Sequence, residues 1–300
     1  MKQPAGAVLH DPYAILVAEV MLQQTQTARV VEKLPQFLER FPDVRALADA
    51  SSGELIRAWQ GMGYNSRALR LQQAARAVLE RHAGGFPRTV EELAALPGVG
   101  PYTAAAVACF AFGAQVAVID VNVARVYSRL FYRCHSAGQT LPPESIRGVA
   151  EEIVPEGDAY RWHQAMMDLG ATICTARAPR CDRCPLAREC LSANPPSLEL
   201  FGERHAAKPE PALRGEPRRI WRGRVVELLR RTHEPLQVRE VINRLFPAEL
   251  FGDLPAQERS AALEMIRGLI RDGLVVHAAA GGGVVREGGV EENDRVMLPA

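Results

Sequence analysis

Apolar residues recur at intervals of three and four from Tyr13 to Leu191, as in residues 69–78, and this spacing predicts amphipathic α-helices. Residues 89–92 (TVEE) form a capping-box sequence that predicts the start of a short helix ending near Leu96. The pattern contains no internal repeat. The chain is therefore predicted to be mainly α-helical over this region.

A second region follows a segment that is poor in apolar residues. Residues 192–217 contain five prolines and are predicted to be a linker. Beyond them, residues 218–300 are predicted to form a small α+β module of three helices and three strands, with residues 281–283 (GGG) at a hairpin tip. Its predicted elements are helices over Trp221–Arg231, Val238–Phe246 and Gln257–Asp272, and strands over Leu274–His277, Val284–Arg286 and Arg295–Leu298. This arrangement is typical of a winged helix.

Composition narrows the class of protein. Apolar residues make up 47% of 300, enough for well-filled cores, and the net charge is only +1. We find no signal peptide and no apolar run long enough to span a membrane, so a cytoplasmic, nucleoid-associated protein that is not bound to a membrane is expected. Apart from Lys2, Lys33 and Lys208, the lysine and arginine positions are all arginine, which suits phosphate groups but also fits an arginine-favouring genome.

The segment 218–231 concentrates positive charge, with six arginines and one glutamate. Such a segment would suit DNA phosphates. A solvated helix face or a protein-docking surface is an equally good interpretation. No partner for residues 218–300 follows from the sequence.

Residues 96–100 (LPGVG) predict a very tight turn between two helices, with Pro101 as the first residue of the second helix. A helix N-terminus at such a turn attracts anions. The turn therefore predicts a helix-hairpin-helix that clamps a DNA phosphate independently of base sequence, although an ordinary packing turn is the alternative. Its DNA-binding residues are expected to be Leu96, Gly98, Val99 and Gly100.

Two carboxylates stand out beside apolar sequence. Glu19 lies within residues 14–22 (AILVAEVML), where burial would raise its pKa and make it a proton donor near neutral pH. Asp120 follows residues 116–119 (VAVI) and, taken alone, predicts a helix N-cap. Together the two carboxylates suit a glycoside-like cleavage, in which one protonates the leaving group and the other stabilises a cationic sugar.

Four cysteines fall within seventeen residues, with the spacing C-x6-C-x2-C-x5-C at Cys174, Cys181, Cys184 and Cys190. Only Cys181 and Cys184 form the close pair that a zinc site usually repeats, so the spacing favours an iron–sulfur cluster while leaving zinc open. Arginines, among them Arg177 and Arg180, punctuate this segment and are expected to contact phosphates. Cys109 and Cys134 have no partners at ligand spacing and are interpreted as packing residues.

Several motifs occur in a fixed order along the chain: residues 19–26 (EVMLQQTQ), 61–64 (GMGY), 96–100 (LPGVG) and 166–171 (MMDLGA), followed by the four cysteines. In this order the chain resembles the MutY-type adenine DNA glycosylases of the helix-hairpin-helix superfamily, over residues 11–191. The resemblance implies a two-lobed helical core with a [4Fe-4S] cluster loop at the four cysteines. The lobes would cover residues 14–118 and residues 119–191, the second together with the N-terminal segment.

The resemblance also implies an activity: removal of adenine, flipped out of double-stranded DNA, where it is mispaired with 8-oxoguanine or guanine. Glu19 would protonate the base, and Asp120 would stabilise the sugar cation. Tyr102 and Asn122 would line the catalytic pocket. The remaining implied DNA contacts are Gln23 and Tyr64 as wedges in the helix and Thr25 near the opposite base. A monomer is expected.

The resemblance also argues against strand cleavage as a second activity of this chain. Endonuclease III-type relatives have a Schiff-base lysine at the position of Tyr102, and no lysine lies between Lys33 and Lys208. A monofunctional enzyme is therefore expected.

The chain departs from the family pattern in several places. Val121 stands where many members have glycine, and Asn65 where many have a second tyrosine. The sequence before Tyr13 does not match the usual N-terminal helix of the family, and residues 218–300 are expected to stand in place of its usual Nudix-like domain.

Two other functions fit parts of the sequence. A thymine or uracil mismatch glycosylase of the same superfamily would share the hairpin turn, the cysteines, Asp120 and Tyr102, but usually lacks the sequence at residues 23–26 (QQTQ). A non-catalytic DNA-binding or redox-sensing iron–sulfur protein would not need both Glu19 and Asp120. Adenine removal is therefore the preferred hypothesis.

Overall fold

The computed structural model describes residues 11–134, 139–193, 212–232, 234–247, 254–278 and 290–299. Its helices are α1 (Pro12–Leu22), α2 (Thr27–Arg40), α3 (Val44–Asp49), α4 (Ser52–Ala58), α5 (Ser66–His82), α6 (Val90–Ala94), α7 (Pro101–Phe112), α8 (Val121–Tyr132), α9 (Pro143–Glu152), α10 (Ala159–Thr172), α11 (Arg218–Arg231), α12 (Val238–Leu245) and α13 (Ala256–Arg271). Its strands are β1 (Ala212–Leu213), β2 (Glu216–Pro217), β3 (Leu236–Gln237), β4 (Val276–His277) and β5 (Arg295–Met297). The prediction of a mainly α-helical fold is confirmed. Across these residues, we find no helix with the length and apolar character needed to cross a membrane.

Capping residues set the helix boundaries where the sequence predicts them. Thr89 Oγ1 accepts a hydrogen bond from the backbone N–H of Glu92 at 3.2 Å and starts α6. Asp120 caps α8 in the same way, through the N–H of Val123 at 2.7 Å. Pro101 is the first residue of α7, where its missing N–H costs no hydrogen bond.

Contacts divide the chain into two compact units, each built from two separate stretches of sequence. The first unit comprises Met1–Glu19 and Phe86–Ala207, and the second comprises Val20–Gly85 and Lys208–Ala300. The predicted domain boundaries at residues 191 and 217 remain predictions, and most of the predicted linker lies outside the described residues.

In the first unit, α8, α9 and α10 pack around the fully buried Tyr127, Ile146 and Val123. The Tyr127 hydroxyl accepts a hydrogen bond from Trp162 Nε1 at 3.0 Å, so its polar end is satisfied in the core. Helix α10 approaches the first turn of α8 at Gly170, where there is no room for a side chain.

In the second unit, the C-terminal region adds the helices α11 to α13 and a three-stranded antiparallel sheet in the order β3-β5-β4. This confirms the predicted α+β content of the region. The structure adds β3, which sequence analysis did not predict, whereas the predicted strand Val284–Arg286 lies outside the described residues. Ile56 of α4 and Leu69 of α5 join the apolar core of this region, so it packs directly on residues 20–85.

Gly170→Ala should destabilise the protein. A Cβ at Gly170 would lie 2.7 Å from Asn122 Cβ and 3.1 Å from the Asn122 carbonyl oxygen, and neither atom belongs to a flexible side-chain end. We expect a loss of about 1–3 kcal/mol in the free energy of unfolding, measured by denaturant titration.

Gly148→Ala in α9 is the matched control, because apart from the backbone of its own helix no atom lies within 4 Å of the added Cβ. This change should instead stabilise the helix by about 0.5–1 kcal/mol. Equal effects of the two substitutions would contradict the close approach of α10 to α8.

Candidate active site

Helix α1 places Glu19 in a largely apolar environment beside Leu16 and Val17, and the residue is 8% exposed. Burial raises the pKa of Glu19 from its ordinary 4.5 to about 7. A hydrogen bond from the Tyr102 hydroxyl opposes this rise in the pKa of Glu19, and the nearby charge of Asp120 adds to it. The carboxyl group is therefore poised to hold or release a proton near neutral pH.

The Asp120 side chain is held by two hydrogen bonds. Its Oδ1 accepts from the backbone N–H of Val123 at 2.7 Å, and its Oδ2 accepts from Asn122 Nδ2 at 2.9 Å. The sequence-based interpretation of this residue as an N-cap is thus confirmed, and the same geometry fixes the carboxylate near Glu19.

A chain of hydrogen bonds continues from Asn122 to the cysteine segment. Arg125 Nη2 donates to Asn122 Oδ1 at 2.9 Å and to the Gly170 carbonyl at 2.7 Å. Arg125 Nε donates to the Cys174 carbonyl at 2.8 Å. The orientation of Asp120 therefore depends on the segment that carries the first of the four cysteines.

The four cysteines line one cavity of about 60 Å³. Cys174 follows the end of α10, Cys181 begins a short 3-10 turn (Cys181–Arg183), and Cys184 directly follows that turn. Arg129 from α8 lines the same cavity, and its Nη1 lies 3.3 Å from Cys174 Sγ. The Arg129 guanidinium also donates hydrogen bonds to the carbonyl oxygens of Thr175 at 2.8 Å and Ala176 at 3.0 Å. These bonds fix the segment after the first cysteine.

The cysteine side chains supply the donors of a metal group. Among the described residues, no three side chains of His, Cys, Asp or Glu form a set that could hold a metal ion. The four cysteines nevertheless line one cavity and offer four thiolates, the ligands that iron–sulfur clusters take and that zinc also accepts. The residues present at this cavity therefore fit a metal group.

The other residues predicted for this segment lie at the surface. Arg177 and Arg180 are exposed, and Arg180 Nη2 donates to the Thr172 carbonyl.

The two cysteines outside this segment, Cys109 and Cys134, are buried, as expected of packing residues.

The hairpin turn has both exposed and buried residues. Gly98 has a φ of +75° and is exposed, as is Gly100, whereas Leu96 and Val99 are buried.

In the second unit, one buried arginine joins two predicted recognition segments. Arg67 Nη1 donates to the carbonyl oxygens of Val20 at 2.8 Å and Gln23, and Nη2 donates to Thr25 Oγ1 at 3.0 Å. Nη2 also donates to the Met62 carbonyl at 2.9 Å. Arg67 thus brings the segment of Gln23 and Thr25 together with the turn before Tyr64.

Tyr64 lies on a turn with an unusual backbone. Its φ is +43°, and the flanking Gly61 and Gly63 have φ of +83° and +67°. The side chain is 48% exposed, and the Arg67 guanidinium lies 5.7 Å from the ring centroid. An aromatic side chain is therefore presented to solvent on a conformationally fixed turn.

Sequence analysis missed the arginines that hold these segments. Arg67 shares the helical face of the buried residues Leu71, Ala74 and Val78, so the available signal was a cation on an apolar face. Arg125 and Arg129 are one turn apart on α8 and carry the same signal.

Comparisons with known proteins identify a family model and relatives that match this chain. The family model for the HhH-GPD superfamily base excision DNA repair proteins matches residues 17–141. An adenine DNA glycosylase of Mycobacterium tuberculosis is 39% identical over 75% of this chain and 73% of its own length. Another, from Mycolicibacterium smegmatis, is 38% identical over 90% of this chain and 86% of its own length.

Solved structures show the same fold. A thermostable thymine-DNA glycosylase superposes with a TM-score of 0.57 and 32% identity, covering 61% of this chain and 85% of that one. Endonuclease III in a non-covalent DNA complex superposes with a TM-score of 0.55 and 27% identity, covering 63% of this chain and 88% of that one. The chain belongs to the HhH-GPD superfamily of base excision DNA repair proteins and, within it, to the adenine DNA glycosylase family.

Proposed function

We propose that this protein is a monofunctional adenine DNA glycosylase. It hydrolyses the N-glycosidic bond of adenine mispaired with 8-oxoguanine or guanine in double-stranded DNA, and it acts as a monomer. The observation that carries this proposal is the buried Glu19 carboxyl, whose pKa is raised to about 7 beside Tyr102 and Asp120. The curated adenine DNA glycosylases to which the chain is similar support adenine as the base.

The reaction needs one proton donor and one fixed negative charge. Glu19 donates its proton to the adenine, the C1′–N9 bond breaks with its electron pair moving to the base, and the sugar becomes an oxocarbenium ion. The Asp120 carboxylate stabilises that cation. Water then adds at C1′ and gives its proton to the Glu19 carboxylate, which restores the acid for the next turnover.

Tyr102 supports proton donation rather than covalent chemistry. Burial, together with Glu19 and Asp120, raises the pKa of Tyr102, so its hydroxyl stays protonated and donates to Glu19. No lysine lies between Lys33 and Lys208 to form a Schiff base with the sugar. The enzyme should therefore leave an abasic site and no cut strand.

The remaining predicted residues serve DNA recognition in this proposal. Tyr64 and Gln23 would enter the helix beside the flipped adenine, and Thr25 would lie near the opposite base. The hairpin turn at residues 96–100 and the exposed Arg177 and Arg180 would contact phosphates. Asn122 would line the pocket and orient Asp120 through its 2.9 Å hydrogen bond.

Cys174, Cys181, Cys184 and Cys190 would hold a [4Fe-4S] cluster. When bound, such a cluster would cross-link the segment from residue 174 to 190. Because the Cys174 carbonyl accepts from Arg125, an ordered segment keeps the Arg125–Asn122–Asp120 hydrogen bonds in place.

Anaerobically purified protein should be brown, should absorb in the visible region, and should contain about four iron atoms per chain. Cys181→Ser should lose most of the iron and the colour, whereas Cys109→Ser, outside the four, should keep both. Colourless protein that carries zinc would contradict the cluster.

Base release should be specific for adenine. In single-turnover assays on duplexes with A opposite 8-oxoguanine, A opposite G, T opposite G and U opposite G, we expect strand cutting only after alkali and only at adenine. Glu19→Gln should bind the A-containing duplex but lower the excision rate by at least about 10³-fold, because the proton donor is lost.

Glu152→Gln, at an exposed position at the end of α9, is the control and should keep the wild-type rate. Release of thymine or uracil with adenine untouched would favour the thymine or uracil mismatch glycosylase instead. DNA binding without any base release would favour a non-catalytic protein.

The single-turnover rate should fall as the pH rises through about 7, because Glu19 then loses the proton it must donate. Tyr102→Phe removes a hydrogen bond that lowers the pKa of Glu19. The falling limb of the pH–rate profile should therefore move to higher pH. Tyr132→Phe, an exposed tyrosine on α8, should leave the limb unchanged. A limb that moves to lower pH in Tyr102→Phe would contradict this hydrogen bond.

A further inference from the structure

Helix α11 of the C-terminal region anchors the segment that leads to α5. Arg230 Nη2 donates to the Ile56 carbonyl at 3.0 Å and to Asn65 Oδ1 at 2.8 Å, and Nε lies 3.2 Å from the same Ile56 carbonyl. The Arg230 side chain is only 8% exposed, so water competes little for these bonds. One guanidinium thus links the last turn of α4 to Asn65, the residue before α5, across the turn at residues 59–65.

A second contact reinforces the first. Glu227 accepts from Arg230 Nη1 at 3.1 Å and from Gln60 Nε2, within the turn, at 3.0 Å. Ile56 and Leu69 pack in the apolar core of the C-terminal region. At the N-terminus of α4, a Cβ on Gly53 would overlap the Pro299 carbonyl oxygen, so the backbone at residue 299 also packs against this segment.

Arginines of the segment 218–231 pair with carboxylates of the same unit. Arg222 pairs with Asp272, and Arg224 pairs with Glu216 at 2.6 Å. Together with the Arg230 contacts, these ion pairs link α11 to neighbouring parts of the same unit.

Tyr64 needs such support because a non-glycine residue at a φ of +43° is strained and persists only where its surroundings fix it. Asn65, the next residue, is buried and is the residue that Arg230 holds. We propose that the C-terminal region positions the Tyr64 turn for insertion into DNA, with Arg230 as the positioning residue. This inference rests on the proposed role of Tyr64.

The test compares full-length variants by two measurements: single-turnover adenine release from a duplex with A opposite 8-oxoguanine, and the fluorescence of 2-aminopurine beside that adenine. Wedge insertion unstacks the neighbouring base, so binding by the wild type should raise the fluorescence. Arg230→Met should slow release about tenfold and reduce the fluorescence rise at least about twofold, and Asn65→Ala should have smaller effects in the same direction.

Arg231→Met is the matched control. Arg231 is the next residue on α11, pairs with the same Glu227 at 3.1 Å, and is 76% exposed in its side chain. The Arg231→Met variant should stay within about twofold of the wild type in both measurements. In a Tyr64→Ala background, Arg230→Met should add no further loss, which an effect on overall stability would not reproduce.

The inference is overturned if Arg230→Met matches Arg231→Met, or if its loss adds fully to that of Tyr64→Ala. If Arg230→Met does not fold, Asn65→Ala decides, and wild-type fluorescence in that variant overturns the inference. A wild-type chain that binds the duplex without releasing adenine would instead contradict the proposed function, and the fluorescence comparison would still test the positioning.

Discussion

Buried arginine side chains hold the irregular segments on which the proposed site depends. Helices satisfy their own backbone groups, but turns leave carbonyl oxygens that must find donors when they are buried. Arg67, Arg129 and Arg230 each donate to two or more such carbonyls or side-chain oxygens. A guanidinium suits this task because it offers five donors in one plane and remains charged even where burial lowers the pKa of Arg67 to about 10. Removing one would leave several buried acceptors unpaired at once, which costs more than the loss of a single hydrogen bond.

The same constraint explains why groups far apart in sequence act together. Asp120 is oriented by Asn122, which is held by Arg125, which in turn bonds the carbonyl of Cys174. The geometry of the carboxylate that caps α8 is thereby linked to the order of the cysteine segment. In the second unit, Arg67 and Arg230 approach the Tyr64 turn from α5 and α11, and each fixes a different part of it.

Helix content, the N-cap at Asp120 and the burial of Glu19 follow from local sequence, because apolar spacing and capping chemistry act within a few residues. The grouping of residues 20–85 with residues 208–300 does not, because it rests on contacts such as Ile56 with α11 that join distant stretches. An arginine on an apolar face, such as Arg67, signals that some acceptor is buried opposite. Which acceptors such an arginine binds depends on tertiary packing. The hydrogen bonds that arginines make around Tyr64 and Cys174 could therefore not be predicted from the sequence.

Burying Glu19 lowers the stability of the folded protein near neutral pH, but the proposed chemistry requires this burial. Its pKa is about 7 in the folded protein against an ordinary value of 4.5, so the folded state binds this proton more tightly than the unfolded chain does. The stability it contributes is complete below pH 4.5 and is lost as the pH rises to about 7, a change of about 3 kcal/mol. A more solvated carboxyl would avoid this loss but would have released its proton before adenine arrived. Burial of Glu19 therefore sets its acidity, and the rest of the protein must supply the stability that its ionisation removes.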